Sequence, residues 1–275
     1  MSSMLAEQRR SVILERLQAE GAVRVSRLTG ELDASEMTVR RDIDHLAARG
    51  LCRKVHGGAC LVASAQEPNF ATKSATNLAA KRAIGLAAAA LVRPGQAVGI
   101  SAGSTAYWVA VGLAKRPAAD QITVVTNSVP AADVLAGSEL PQPDELAATR
   151  AATGPAQVIL TGGVRTPSQA LVGTVADAAI AQFRLDWLFL GVHGLDLEAG
   201  LTTPNVAEAA THRAFMAVAK ATVVTADVSK WGITALAQIA PLKQVSRFVT
   251  DKPPPPDTIK ALKHLTVDLT IASQP

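Results

Sequence analysis

Apolar residues recur every three or four positions through the first fifty residues, and after about residue 79 they gather instead into short β-branched runs. The chain therefore divides into a helical head and a body in which strands and helices alternate. Residues 6–19 place Ile13, Leu14 and Leu17 on one side of a helix, with Gly21 as a stop signal. A second short helix carries Val25, Leu28 and Leu32 on its apolar face, with Ser26 as its expected cap. Ser35 opens a third, from Glu36 to Arg49, whose Val39, Ile43 and Leu46 share a face and which Gly50 ends. The following LCRKVHGGA reads as a strand, a two-glycine turn and the edge of a second strand.

Residues 61–77 are small and polar with no clear period, as expected of a linker. Beyond them, β-branched runs at Ala97 to Ile100, Ile122 to Thr126, Gln157 to Thr161, Asp186 to Gly191, Thr222 to Ala226 and Val245 to Thr250 each end in a small-residue loop. Strands alternating with helices predict an α/β domain with a mostly parallel sheet covered on both faces. The expected organisation is a helical head over residues 1–60, a linker over 61–77 and a second domain over 78–275. Residues 137–156 interrupt the alternation and read as an exposed insertion.

Composition narrows the class. Hydrophobic residues make up 48% of the chain and charged ones 18%, which argues against disorder and against a disulfide-stapled scaffold. No apolar run reaches the length of a membrane span, and the first residues lack the apolar stretch of a signal peptide, so a cytoplasmic protein is expected. Cys52 and Cys60 have no companions at metal-ligand spacing, and neither a zinc site nor a structural disulfide is expected. The 27 Lys and Arg against 23 Asp and Glu permit an anionic partner without specifying one. Residues 1–60 hold ten basic and eight acidic residues, so placement rather than net charge carries any nucleic-acid argument.

That placement is informative. The third helix leaves Thr38, Arg40, Arg41 and His45 off its apolar face, and the turn after it carries Arg53, Lys54 and His56 near its tip. A polar, basic helix followed by a basic hairpin suits insertion into a major groove with flanking phosphate contacts, although a plain three-helix bundle with a solvated arginine pair has the same pattern. In the second domain, ligands are expected beyond the carboxyl ends of the strands. The loop Ser101-Ala102-Gly103-Ser104-Thr105 would offer backbone N–H groups and hydroxyls to an anion at a helix N-terminus, or would simply cap that helix. Asn127 follows the second strand and Gly162-Gly163 the third; His193-Gly194-Leu195-Asp196 and Asp227-Val228-Ser229-Lys230 follow two later ones. Lys230 is the cation best placed for a phosphate or carboxylate. Asn205 and Glu208 read as a helix-opening capping pair.

The string ASEMTVRRDIDHLAARGLCRKVHGGA resembles the winged helix-turn-helix signature of the DeoR/GlpR family of bacterial sugar-metabolism regulators. The later order GST, TNS, LTGG, FLGxxGLD, GLTT and DxSKxG resembles the C-terminal sensor domain of the same family. The resemblance implies operator DNA as one partner, read by Ser35, Thr38, Arg40 and Arg41 on the recognition helix, with Arg53, Lys54 and His56 on the wing. Asp42, which would repel phosphate, is expected to pair with a neighbouring arginine or to make a helix-turn contact. It also implies a ribose-5-phosphate isomerase-like sensor fold that binds a phosphorylated sugar at Gly103, Ser104, Thr105, Asn127, Gly162, Gly163, Asp196 and Lys230. No cofactor, metal or catalytic residue is implied, and a dimer or tetramer is expected from two-fold operator symmetry.

Three features depart from the family pattern: Ser101 stands where an Asp is usual, His212 where a Lys is frequent, and the segment Gly137 to Gln157 is much longer. The alternative reading is an isomerase with a DNA-binding appendage. An isomerase of that fold uses a paired Asp-Gly-x-Asp string, whereas this chain has His193-Gly194-Leu195-Asp196 with one carboxylate.

Overall fold

The computed structural model describes residues 5–20, 22–49, 51–55, 57–61, 70–117, 120–137 and 156–273. The expected insertion therefore lies almost wholly outside the described residues, as do His56 and the side chain of Arg53.

The head is built of α1 (Ala6–Glu20), β1 (Ala22–Arg24), α2 (Val25–Leu32), α3 (Glu36–Ala48), β2 (Cys52–Val55) and β3 (Gly58–Leu61). Its three helices enclose Ile13, Leu17, Leu28, Val39, Ile43 and Leu46, the residues whose spacing marks them as one buried seam. The strands form a small antiparallel sheet in the order β1-β3-β2, so the hairpin β2–β3 is the wing. Ser35 caps α3 as its position predicts, accepting a hydrogen bond from the Thr38 amide at 3.2 Å. Ser26 does not cap α2: the N-cap is Arg24, with no side-chain bond, and Ser26 lies inside the first turn.

Within the stretch read as linker, Phe70–Ala75 form a short helix, α4, held by the edge-to-face packing of Phe70 on Tyr107. The body continues with α5 (Leu78–Ala89), β4 (Ala97–Ile100), α6 (Ala106–Ala114), β5 (Ile122–Thr126), α7 (Val129–Leu135), β6 (Ala156–Leu160), β7 (Val164–Arg165), β8 (Leu171–Val172) and α8 (Thr174–Ile180). It is completed by β9 (Leu185–Gly191), β10 (Gly194–Asp196), β11 (Gly200–Thr203), α9 (Val206–Val218), β12 (Ala219–Thr225), β13 (Ala237–Ala240), β14 (Arg247–Thr250), α10 (Pro256–His264) and β15 (Asp268–Ile271). Seven strands form one sheet in the order β15-β14-β12-β9-β4-β5-β6, and every pairing in it is parallel.

An alanine-rich chain needs close helix approach to fill its core. α5 and α6 achieve it where Gly85 faces Trp108: a Cβ on Gly85 would lie 2.3 Å from the Trp108 Cβ. Beneath this pair, Ile84, Val109 and Leu113 pack on Val98, Ile100 and Val124 of the sheet.

The strand order fixes where a ligand can sit. From β4 the chain steps outward through β5 to β6 on one side, then returns to β4's other flank and steps outward through β9, β12, β14 and β15. The reversal falls between β4 and β9, and the loops leaving their carboxyl ends diverge to opposite faces, which opens a crevice there.

Candidate functional site

On the head, α3 presents Glu36, Met37, Arg40, Arg41, Asp44 and His45 to solvent, while Val39, Ile43 and Leu46 face inward. The Nε of Arg40 donates to Glu36 Oε1 at 3.0 Å, one turn back along the exposed face. The hydroxyls of Ser35 and Thr38 bond each other at 2.8 Å at the start of the helix. Asp42 is buried, and it receives the Nε of Arg9 at 2.9 Å and of Arg10 at 3.0 Å, so its charge is spent fastening α3 to α1. Lys54 reaches from the wing to Asp44 on α3 at 2.6 Å. Helix and wing thus form one exposed surface bearing Arg40, Arg41 and Lys54.

In the body, a cavity of about 70 Å³ opens at the β4/β9 crevice. One wall is the loop after β4. Gly103 has φ +152°, and a Cβ on it would stand 3.6 Å from the Gly191 Cα, so the ends of β4 and β9 meet there backbone to backbone. Ser104 and Thr105 follow at the entrance to α6, and all three residues line the cavity. Ser101 is fully buried behind them, its hydroxyl accepting the Gly191 amide at 3.0 Å.

The opposite wall comes from the 3-10 turn Val228–Lys230. Asp227 caps it by accepting from the Ser229 amide at 3.1 Å, and Lys230 projects to the cavity. Burial pushes the Asp227 carboxyl up, but Lys230, the Ser229 hydroxyl and Lys81 outweigh it and hold the group below its ordinary value. Oδ1 of Asp227 takes the Ser229 bonds and a long one from the Asn77 side-chain Nδ2 at 3.4 Å, whereas Oδ2 is buried with no hydrogen-bond partner among the described residues.

The roof is the end of the stretch read as linker together with the first turn of α5. Lys73 and Thr76 line the cavity from α4 and its end, and Asn77 and Lys81 from the start of α5, where the Lys81 ammonium donates to the Lys73 carbonyl. His193 enters after β9; burial, with Lys230 and Lys73 nearby, pushes its imidazole well below the ordinary value, so it is neutral at pH 7. Glu208 and His212 reach in from α9. Glu208 accepts from Ser168 and Thr166 on one oxygen and from Thr203, at 3.2 Å, on the other. The result is a pocket with three lysines, a helix entrance and two carboxylates, matched to a ligand with an anionic end and a hydroxylated body.

Four residues expected at this site lie elsewhere. Asn127 is fully buried and works from behind, accepting the Ala102 amide at 2.8 Å and donating to the Leu171 carbonyl at 3.0 Å, which fixes the loop after β4. Gly162 and Gly163 follow β6, two strands out from the crevice; Gly163 is required because a Cβ would stand 2.7 Å from the Val172 carbonyl. Asp196 belongs to the β10–β11 hairpin, where it accepts the amides of Glu198 and Ala199 at 2.9 Å. Asn205 caps α9 as its position predicts, its side-chain oxygen accepting the amides of Ala207 at 2.9 Å and Glu208 at 3.2 Å, and Glu208 lines the cavity as well.

Sequence reasoning missed Lys73, Thr76, Asn77 and Lys81. They carry no motif of their own and sit across the boundary assigned to the linker. His193 and Asp227 stand in loops singled out by their position after strands, and His212 was marked by its departure from the family pattern. Among the described residues, no group of three or more His, Cys, Asp or Glu is placed to hold a metal ion.

Comparison with known proteins bears on both regions. Residues 9–65 match the DeoR-like helix-turn-helix domain and residues 76–252 the DeoR C terminal sensor domain. The "HTH-type transcriptional regulator GlpR" of Haloferax volcanii is 36% identical over 90% of this chain and 91% of its own length. The "Putative aga operon transcriptional repressor" of Escherichia coli O157:H7 is 29% identical over 97% of this chain and 94% of its own. The "Glycerol-3-phosphate regulon repressor" of Escherichia coli K12 is 28% identical over 97% and 100%. Among solved structures, ribose 5-phosphate isomerase A from Methanocaldococcus jannaschii aligns with 55% of this chain and 53% of its own at 17% identity and a TM-score of 0.37, a likeness too slight to argue from.

Proposed function

This chain belongs to the DeoR family of transcriptional regulators, and from that premise we propose that it represses a sugar or carbohydrate operon and leaves its operator when a phosphorylated sugar or related metabolite occupies the β4/β9 cavity. The single observation that carries the effector half is the cavity's polarity. Lys73, Lys81 and Lys230, with the entrance to α6, supply a site for a phosphate, and the buried Oδ2 of Asp227 supplies an acceptor that a ligand hydroxyl would satisfy. Relatives named for the aga operon and for the glycerol-3-phosphate regulon support a carbohydrate phosphate as the class.

For the DNA half, α3 enters the major groove and the wing flanks it, with Ser35, Thr38, Arg40 and Arg41 at the groove and Arg53, Lys54 and His56 along the backbone. Two heads on a symmetric dimer or tetramer would read two half-sites. Residues 1–60 act as the reading head, 78–275 as the sensor, and the stretch between them also roofs the pocket. The site of action is the cytoplasm, where the operator is. We read the chain as a regulator rather than an isomerase: Asp196, the carboxylate an isomerase would need beside the substrate, is occupied in a hairpin turn.

The test is calorimetric titration of the full-length protein with glycerol 3-phosphate and a set of pentose and hexose monophosphates. One member is expected to bind the wild type, while Lys230→Ala and Ser104→Ala weaken it by about tenfold or more and leave operator affinity unchanged. Equal affinity in both variants would remove the assignment of this cavity.

A further inference from the structure

The head meets the body where α1 lies against α4 and, apart from that, at an apolar contact smaller than either core. Ile233 of the body is buried, 4% exposed, and the cluster it joins is completed by Ala22 of β1, Cys60 of β3 and Val55 of β2, all from the head. Beside it the Arg24 guanidinium of β1 lies 3.0 Å from where a Gly232 Cβ would stand, and burial lowers its pKa.

Ile233 is also where two walls of the cavity end. Three residues before it is Lys230, at the cavity; between them Trp231 is clamped against Phe248 at a ring separation of 5.2 Å, and the Gly232 amide donates to the Leu195 carbonyl at 2.7 Å. The other wall arrives through His193. Its neighbour Gly194 lies so close that a Cβ there would stand 2.2 Å from the Ile233 carbonyl oxygen. A displacement of either pocket loop has no slack in which to be absorbed before it reaches Ile233.

On this geometry, and resting on the reading of the cavity as an effector site, we infer that Ile233 carries ligand occupancy from the cavity to the DNA-binding head. Ligand draws in Lys230 and His193, the chain on the far side of the Trp231 clamp shifts, and the small apolar contact of Ile233 with β1 and the wing is lost or remade. A contact of three or four side chains is weak enough for one ligand to decide, because domains joined by a small interface move relative to each other unless something holds them. The head then changes its attitude to the second head of the oligomer, and the spacing needed for two half-sites is broken.

The experiment uses full-length wild type, Ile233→Ala and Ile233→Val. Calorimetry reads binding of the tightest member of the sugar phosphate set, and fluorescence anisotropy at fixed salt reads affinity for DNA upstream of the protein's own operon with and without it. Expected is that Ile233→Ala binds the sugar phosphate as the wild type does while the ratio of operator affinities without and with ligand falls by about tenfold toward one. Ile233→Val, which keeps most of the contact, retains the wild-type ratio. An unchanged ratio in Ile233→Ala with normal ligand binding overturns the inference and leaves the pocket reading standing. Loss of ligand binding in Ile233→Ala also overturns it, by making the residue part of the pocket's own support. If the wild type binds none of the set, calorimetry shows that the pocket reading has failed and the inference falls with it.

Discussion

Arg40 and Arg41 are consecutive on the exposed face of α3, yet they start from different places. Arg40 is engaged with Glu36, a neighbour it must leave to contact DNA, whereas Arg41 is exposed without an ion pair among the described residues. Substituting either by alanine is expected to weaken operator binding by about 1–3 kcal/mol, read by anisotropy. Unchanged affinity in both would misplace the recognition helix. Ser35 acts on stability as well: Ser35→Ala removes the cap bond to Thr38 and is expected to cost about 1 kcal/mol in urea unfolding. A pH effect belongs to His193. Its folded pKa lies below the unfolded value of about 6.5, so the unfolded chain takes up the proton first and stability falls as pH drops below that value. Urea midpoints at pH 7 and about pH 5.5 are expected to differ less in His193→Gln than in wild type, and an equal difference in the two would contradict the lowered imidazole pKa. Residues with a local signature, such as the Ser35 cap and the arginine pair, were legible in the sequence. Asp42 was legible as a paired charge, but its partners Arg9 and Arg10 stand more than thirty positions away, on another helix.

The elements with a strong period were equally legible. α3 begins at the expected residue, and β4 and β5 match their expected bounds, because β-branched runs between small-residue loops have few other ways to fold. β15 was not expected, since Asp268–Ile271 is a polar-apolar mixture that becomes a strand only by pairing with β14 at the sheet's edge. α4 escaped for a similar reason: six residues have no readable period, and contacts distant in sequence hold them, Phe70 packing on Tyr107 and bonding the Pro167 carbonyl at 3.3 Å. The site itself depended on strand order, which no local pattern encodes. Loops after β5 and β6 look as suitable as those after β4 and β9 until the reversal between the last two is known, and this is why Asn127, Gly162 and Gly163 fell outside the cavity. The packing of α5 on α6 offers a test in which two effects oppose. Gly85→Ala improves helix propensity by about 1 kcal/mol, but its methyl group meets Trp108. Overpacking is expected to win, with a net loss of about 1–2 kcal/mol in urea unfolding. A stabilised variant would contradict the close approach of the two helices.

Across the whole molecule, a charged surface on the head and a polar cavity in the body are joined by α4 above and by Ile233 below. The segment between head and body is also part of the cavity: α4 brings Lys73 to it, beside Lys81 at the start of α5. On the proposed function, a small ligand competes with DNA without touching it, and its leverage is limited to its difference in affinity for the two arrangements of the heads. The most direct test measures anisotropy of the full-length protein on DNA upstream of its own operon, at fixed salt, with and without the sugar phosphate set. Specific binding that one member weakens by about tenfold or more is expected, with Lys230→Ala still binding the DNA but no longer responding. Binding no stronger than to unrelated DNA, or specific binding indifferent to every member, would contradict it.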